Sequence, residues 1–122
     1  MQTQKVLLVE DDKATQIMMS EMLLEVGVEF ELANDGQECV DMLRKDADRF
    51  DAIFLDIHMP RKSGLAALSE IRADENDPPR NLRIVALTAD VSWHNVDRVV
   101  EAGFNDLLVK PVTMKKIMSM LN

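Results

Sequence analysis

The chain has 122 residues, of which 47% are apolar, and this suits a single domain with one hydrophobic core. With 22 acidic and 14 basic side chains the formal net charge is −8, which opposes general attraction to nucleic acid or to an anionic membrane. An internal disulfide is excluded because Cys39 is the single cysteine, and no stretch reaches the roughly 20 apolar residues of a membrane span.

Five short apolar runs have the length of β-strands. They are predicted at residues 5–9, 28–33, 52–55, 83–87 and 106–109. The first, third and fourth runs are continuously apolar, which is typical of parallel strands covered on both faces. The second run alternates apolar residues with Glu29 and Glu31, and this alternation indicates an edge strand.

Helices are predicted between the strands, because apolar residues recur there at helical spacing. In the first and third connections the recurring residues are Met18, Met22, Val26, Leu65, Leu68 and Ile71. After the fifth strand, Thr113 is predicted to cap a final helix. The apolar stripe of that helix consists of Met114, Ile117, Met118 and Leu121.

This alternation predicts an α/β fold, a doubly wound five-stranded parallel sheet with helices on both faces. The edge position of the second strand suits the flavodoxin-like order 2-1-3-4-5. In that order ligands bind beyond the carboxyl ends of strands 1 and 3. Residues 1–122 are expected to form this one domain.

Charged and hydroxyl side chains follow the predicted strands. In chain order they are Glu10, Asp11, Asp12, Asp56, Thr88 and Lys110. Clustered carboxylates repel one another, and burial raises their pKa values unless a cation neutralises them. Mg²⁺ suits this place because it prefers oxygen ligands. A metal, a lysine, a hydroxyl and a carboxylate nucleophile are together the components of phosphoryl transfer. Asp56 is the predicted acceptor because it stands alone at its strand end, whereas the adjacent Glu10 and Asp11 suit metal binding.

The chain resembles the receiver domain of two-component response regulators in four motifs, "LLVEDD", "FLDIHMPRKSG", "ALTAD" and "LLVKP". They occur in this order across the whole chain. The second and fourth motifs are especially similar to those of receivers attached to hybrid histidine kinases. The resemblance implies that a phosphoryl group passes from a histidine of a kinase or phosphotransfer protein to an aspartate. It also implies a requirement for Mg²⁺ and a surface that changes on phosphorylation.

The resemblance assigns the acceptor and the metal ligands. Asp56 matches the phosphoacceptor, and Glu10 and Asp11 match the acidic metal-binding pair, with Asp11 the more direct ligand. The backbone carbonyl of His58 matches a further metal ligand. Asp12 follows the acidic pair and is not expected to bind the ion.

The resemblance also assigns the switch residues. Thr88 matches the switch hydroxyl, and Lys110 matches the phosphate-binding lysine that precedes a proline in a cis peptide bond. Ala89 matches a small residue that leaves room for the phosphoryl group. The chain departs from the family at Leu107, where a tyrosine or phenylalanine is common, so we expect Thr88 to report phosphorylation through backbone and packing changes around Leu107.

Plainer roles and other functions remain open at this point. Asp56 could cap a helix, the acidic run could be a solvated helix start, and Lys110 could be a surface lysine. A flavin-binding electron carrier could use the same fold, but the acidic loop "EDDKATQ" disfavours a phosphate cradle. A metal-dependent phosphatase with Asp56 as nucleophile lacks an obvious second acid or substrate-binding cap.

The expected partner is a sensor histidine kinase or a histidine phosphotransfer protein. The chain could also form a homodimer. Direct binding to nucleic acid or to a membrane is not expected. The N-terminus lacks the features of a signal peptide, so a cytoplasmic location is expected. The domain is expected to catalyse its own phosphorylation and dephosphorylation without being a turnover enzyme. Because the chain ends just after the last helix, output is expected through protein contact, a phosphorelay step or a larger parent protein.

The resemblance implies that partner contacts lie on the surface formed by the fourth helix, fifth strand and fifth helix. Trp93, Lys115 and Lys116 are predicted to be exposed there, and His94 is predicted to lie on the surface. Cys39 is predicted to be a buried apolar residue on the second helix.

Overall fold

Five parallel strands form one sheet in the computed structural model, which describes residues 4–121. The strands are β1 (Lys5–Val9), β2 (Glu29–Ala33), β3 (Ala52–Asp56), β4 (Arg83–Thr88) and β5 (Asp106–Val109). Their order is β2-β1-β3-β4-β5, and each neighbouring pair is parallel. The predicted fold class and the edge position of the second strand are confirmed.

Five helices cover the two faces of the sheet. They are α1 (Lys13–Glu25), α2 (Gly36–Asp46), α3 (Gly64–Arg72), α4 (Val96–Ala102) and α5 (Met114–Met120). Buried side chains of α2, α3 and α4 share one core with one face, and those of α1 and α5 share a second core with the other. Among the described residues, none of the helices is both long enough and apolar enough to traverse a bilayer.

Each helix begins at a side chain that accepts a hydrogen bond from a backbone N–H three residues further on. These capping residues are Asp12, Asp35, Ser63, Asn95 and Thr113. Such caps satisfy donors that a helix start otherwise leaves unpaired. The prediction of Thr113 as a cap is therefore confirmed, and Asp12 is occupied by the cap of α1.

The predicted apolar stripes are only partly right. On α1 the buried residues are Gln16, Met19 and Leu23, so the core-facing row is offset from the predicted one. On α5 Ile117 is buried but Met118 is 57% exposed. Both helices pack through a narrow row of side chains, and the flanking methionines remain at the margin of the core.

Trp93 was expected at the surface, and this expectation is wrong. A 3₁₀ turn at Val91–Trp93 carries the ring into the core that α2, α3 and α4 share, where Trp93 is only 9% exposed. The guanidinium of Arg98 covers the ring at 3.9 Å from its centroid. His94 and both lysines of α5 are exposed and Cys39 is buried, as predicted.

Glu31 on the edge strand is expected to make stability depend on pH. Its carboxylate lies 2.9 Å from Lys5 Nζ and 2.9 Å from Arg49 Nε. The hydrogen bonds from Arg49, and then from Lys5, lower the pKa of Glu31 from 4.5 to about 2. The two ion pairs of Glu31 therefore stabilise the fold above about pH 4.5, and this contribution is lost as the pH falls towards 2.

We expect Glu31→Gln to lower the free energy of unfolding by about 1 kcal/mol at pH 7, a value reduced for solvent screening of a partly exposed group. The deficit relative to the unmodified chain should shrink below pH 4.5, as urea denaturation at several pH values will measure. Glu29→Gln, on the exposed part of the same strand, is the control and should change little. A deficit that stays constant with pH would contradict the assignment.

Candidate functional site

Three carboxylates meet where β1 and β3 end. Val9 pairs with Leu55 in the sheet, so the residues that follow emerge side by side. Carboxylate oxygens of Glu10, Asp11 and Asp56 lie within 4.8 Å of one another. Glu10 is fully buried and Asp56 is 5% exposed, while Asp11 faces solvent. The structure thus brings together the three predicted acidic residues.

Lys110 supplies a positive charge to this acidic pocket. Its Nζ donates to Asp56 Oδ2 at 3.0 Å and to Glu10 Oε1. Its backbone N–H donates to the carbonyl of Thr88 at 2.9 Å, which ties the lysine to the end of β4. The Lys110–Pro111 peptide bond is cis, as the resemblance implies. Burial acts to lower the pKa of Lys110, but the bonds to Glu10 and Asp56 outweigh it and raise the pKa, so the ammonium stays charged.

Negative charge is in excess in the pocket, because one ammonium faces three carboxylates. Burial raises the pKa of Glu10, as does its contact with Asp56, and the ammonium of Lys110 offsets this only in part. Burial and the neighbouring Glu10 also raise the pKa of Asp11. A cation would relieve this repulsion, and an all-oxygen donor set open to solvent on one side suits Mg²⁺. The residues present therefore fit the ion.

The loop between β3 and α3 closes over Asp56. The backbone N–H of His58 donates to Asp56 Oδ1 at 3.1 Å, and Gly64 N–H donates to the carbonyl of Ile57 at 2.9 Å. The His58 side chain is exposed, with Nε2 2.9 Å from Asp90 Oδ2. The imidazole thus links the loop after β3 to the loop after β4. The role of the His58 backbone carbonyl as a metal ligand stays a prediction.

Thr88 ends β4 and is only 1% exposed. Its hydroxyl oxygen accepts from the backbone N–H of Asp90 at 2.9 Å. Ala89, the next residue, is exposed, and Leu107 on β5 is half-buried against the core. The hydroxyl, the small residue and the lysine thus occupy neighbouring strand ends.

Sequence reasoning missed several side chains that hold the loops of the site. Gln16 is buried and donates to the carbonyl of Glu10 and, at 2.9 Å, to Asn34 Oδ1. Arg61 donates to the buried carboxylate of Asp35. These contacts join loops that are distant in the sequence, and no motif or period marks them. Gln16 in particular lies off the predicted apolar stripe of the first helix, so no signal in the sequence indicated its burial.

A family model described as the response regulator receiver domain matches residues 6–122. The osmosensing histidine protein kinase SLN1 of Saccharomyces cerevisiae is 36% identical over 121 residues, which cover 96% of this chain and 10% of that protein. The transcription factor SKN7 of Chaetomium thermophilum is 34% identical over 117 residues, which cover 96% of this chain and 15% of that protein. The chain thus spans a small part of the length of these curated relatives.

Solved structures match over nearly the whole chain. The receiver domain of sensor histidine kinase PA1611 from Pseudomonas aeruginosa PAO1, with a magnesium ion coordinated in the active site cleft, has a TM-score of 0.85 and 35% identity, covering 98% of this chain and 95% of that one. A co-crystal structure of the Saccharomyces cerevisiae histidine phosphotransfer protein Ypd1 with the receiver domain of Ssk1 gives a TM-score of 0.84 and 29% identity. That match covers 98% of this chain and 86% of the other.

Proposed function

Because the chain belongs to the response regulator receiver domain family, we propose that Asp56 accepts a phosphoryl group from a phosphohistidine of a partner protein. The observation that carries this proposal is the placement of Asp56. Its nearly buried carboxylate lies within 4.8 Å of carboxylate oxygens of Glu10 and Asp11 and accepts a hydrogen bond from Lys110 Nζ at 3.0 Å. A nucleophile, a cation-binding pair and a fixed ammonium meet there.

In the proposed reaction, a carboxylate oxygen of Asp56 attacks phosphorus and forms an acyl-phosphate P–O bond. The P–N bond to the donor imidazole breaks, and its electron pair stays on the ring nitrogen, which takes up a proton. Lys110 transfers hydrogen bonding from the carboxylate to a phosphoryl oxygen, which stabilises the developing charge. Bound Mg²⁺, held by Glu10, Asp11, Asp56 and the carbonyl of His58, would supply positive charge against the phosphoryl oxygens.

The proposed response to phosphorylation begins at Thr88. Its hydroxyl donates to a phosphoryl oxygen, and movement towards that oxygen pulls on the hydrogen bond that it accepts from the Asp90 N–H. Asp90 caps the 3₁₀ turn that holds Trp93. A shift of Thr88 therefore reaches the segment before α4 through backbone, without an aromatic residue at Leu107.

We propose a histidine phosphotransfer protein or a histidine kinase as the donor. SLN1 and PA1611 are named as histidine kinases, and the Ssk1 receiver domain was crystallised with Ypd1. Residues 1–122 would act as one cytoplasmic receiver domain that takes up one phosphoryl group per chain and is not a turnover enzyme. The buried carboxylates disfavour the flavin-binding alternative, because they would repel a flavin phosphate.

The reaction is tested with a phosphotransfer protein that carries labelled phosphohistidine. We expect label to move to the chain in Mg²⁺ and the rate to fall at least about 100-fold in EDTA, because the carboxylates then repel the incoming phosphate. Asp11→Asn should slow transfer by about tenfold or more, whereas Asp12→Asn should stay near the unmodified rate since asparagine also caps helices well. Equal transfer with and without Mg²⁺ would refute the proposal.

A further inference from the structure

Asp35 is a second buried carboxylate, outside the acidic pocket. It is 4% exposed at the start of α2. One oxygen, Oδ1, accepts from the backbone N–H of Glu38 at 2.9 Å and so caps the helix. The other, Oδ2, accepts from Arg61 Nε at 2.8 Å and from a second nitrogen of the same guanidinium. Since a cap needs one oxygen only, the second is free to hold Arg61.

Arg61 lies near the apex of the loop that joins β3 to α3. Its φ of 61° is the only positive value at a non-glycine residue among residues 4–121. A left-handed conformation costs roughly 1–2 kcal/mol for such a residue, so contacts must hold it there. Two guanidinium bonds to one buried carboxylate are charge-assisted and directional, although the Arg61 side chain is largely exposed.

The backbone of the same loop rests directly on the first turn of α2. Gly36 N–H donates to the carbonyl of Lys62 at 3.1 Å. A Cβ at Gly36 would overlap that carbonyl and lie 3.0 Å from the carbonyl oxygen of Ser63, so only glycine allows this approach. The loop apex is thus joined to the start of α2 by the ion pair between Arg61 and Asp35, by a longer ion pair of 3.8 Å between Arg61 and Glu38, and by one backbone hydrogen bond.

The loop also carries His58, which contacts the acidic pocket. The His58 N–H donates to Asp56 Oδ1 at 3.1 Å, and the base of the loop is closed by the hydrogen bond from Gly64 to Ile57. The carbonyl of His58 is the backbone ligand in the proposed ion site. A shift of the apex would therefore pass along the short intervening backbone to that carbonyl, whereas the three carboxylates belong to residues at the ends of β1 and β3.

We propose that Asp35 and Arg61 are positioning residues for Mg²⁺ binding, which hold the loop of residues 57–63 in its ion-binding conformation. The inference rests on the proposed function, since it takes the ion site from there. Neither side chain touches the ion. Their effect passes through the backbone of the loop, as with outer groups that orient the ligands of a metal.

The test is the dissociation constant for Mg²⁺, measured by calorimetry on the full, unphosphorylated chain. Asp35→Asn keeps a good helix cap but removes the charge that binds Arg61. Arg61→Gly keeps the positive φ accessible but removes the guanidinium. Each variant should raise the dissociation constant about 10-fold. The double variant should raise it no further than Arg61→Gly alone, because that change already removes the contact with Asp35.

Asp41→Asn, an equal charge change on the exposed face of α2, is the control and should bind Mg²⁺ with an unchanged dissociation constant. Thermal unfolding of each variant shows whether a stability change accompanies the effect. If Asp35→Asn and Arg61→Gly lower stability but leave the dissociation constant unchanged, the pair is purely structural and the inference fails. If the unmodified chain itself binds no Mg²⁺, the proposed function fails, and the inference fails with it.

Discussion

Lys110→Met is expected to slow phosphoryl transfer to Asp56 by about tenfold or more and, without Mg²⁺, to lower the free energy of unfolding by about 3 kcal/mol. The ammonium donates to Glu10 and to Asp56, two carboxylates that are almost completely buried. Methionine fills similar space but carries no charge, so both carboxylates lose their compensating partner. During transfer, one phosphoryl oxygen would also lack the positively charged hydrogen-bond donor that Lys110 provides.

The measurements for Lys110→Met are urea denaturation with and without Mg²⁺ and the transfer rate from the phosphohistidine donor. Mg²⁺ should restore part of the lost stability, because the ion neutralises the same carboxylates. Lys13→Met is the control, since Lys13 is exposed on α1 and donates to Asn34 at 3.2 Å. Unmodified stability and transfer in Lys110→Met would show that the ammonium does not compensate the pocket.

Gly64→Ala is expected to lower the free energy of unfolding by more than about 4 kcal/mol, or to prevent folding. A Cβ at Gly64 would overlap the carbonyl oxygen of Asp56 and lie 2.9 Å from the Cα of Ile57. Both neighbours are backbone at the end of the central strand, so neither can move without displacing the acceptor itself. An added methyl group destabilises the fold less where it meets side chains, because side chains can change conformation to make room.

Gly27→Ala is the matched control for Gly64→Ala. Gly27 lies just after the end of α1, and its position has no atom within 4 Å of an added Cβ, so only its φ of 81° opposes alanine. That conformation costs about 1 kcal/mol. Denaturation of the two variants should therefore give a difference of about 3 kcal/mol or more. Similar stabilities would show that the loop over Asp56 can relax around an added methyl group, which would contradict the close backbone approach at Gly64.

The strand order and the acidic pocket were predictable because both follow from local patterns. Continuous apolar runs distinguish buried parallel strands, and the alternation around Glu31 distinguishes the edge. Once the order is known, residues that follow the neighbouring strands β1 and β3 must meet, and this brings Glu10 and Asp56 together. Lys110 follows β5, which is separated from β3 by β4, and it reaches both carboxylates through its long side chain. The meeting of the two carboxylates follows without knowledge of side-chain conformation, whereas the contact of Lys110 with them depends on it.

The contacts between loops were not predictable for the opposite reason. Asp35 and Arg61 are 26 residues apart, and His58 and Asp90 are 32 apart, with no period to connect them. Trp93 was misplaced because a single 3₁₀ turn decides whether its ring faces solvent or core. The consequence of Leu107 for switching also stays a prediction, which comparison of free and phosphorylated structures from Thr88 to His94 will test.

The most direct test is the intact mass of the chain after incubation with a small phosphodonor and Mg²⁺. We expect the unmodified chain to gain the mass of one phosphoryl group, and Asp56→Asn to gain none while keeping a cooperative unfolding transition. EDTA should suppress the gain in the unmodified chain. A phosphoryl gain in Asp56→Asn equal to that of the unmodified chain, or no gain in either, would contradict the assignment of Asp56 as the acceptor.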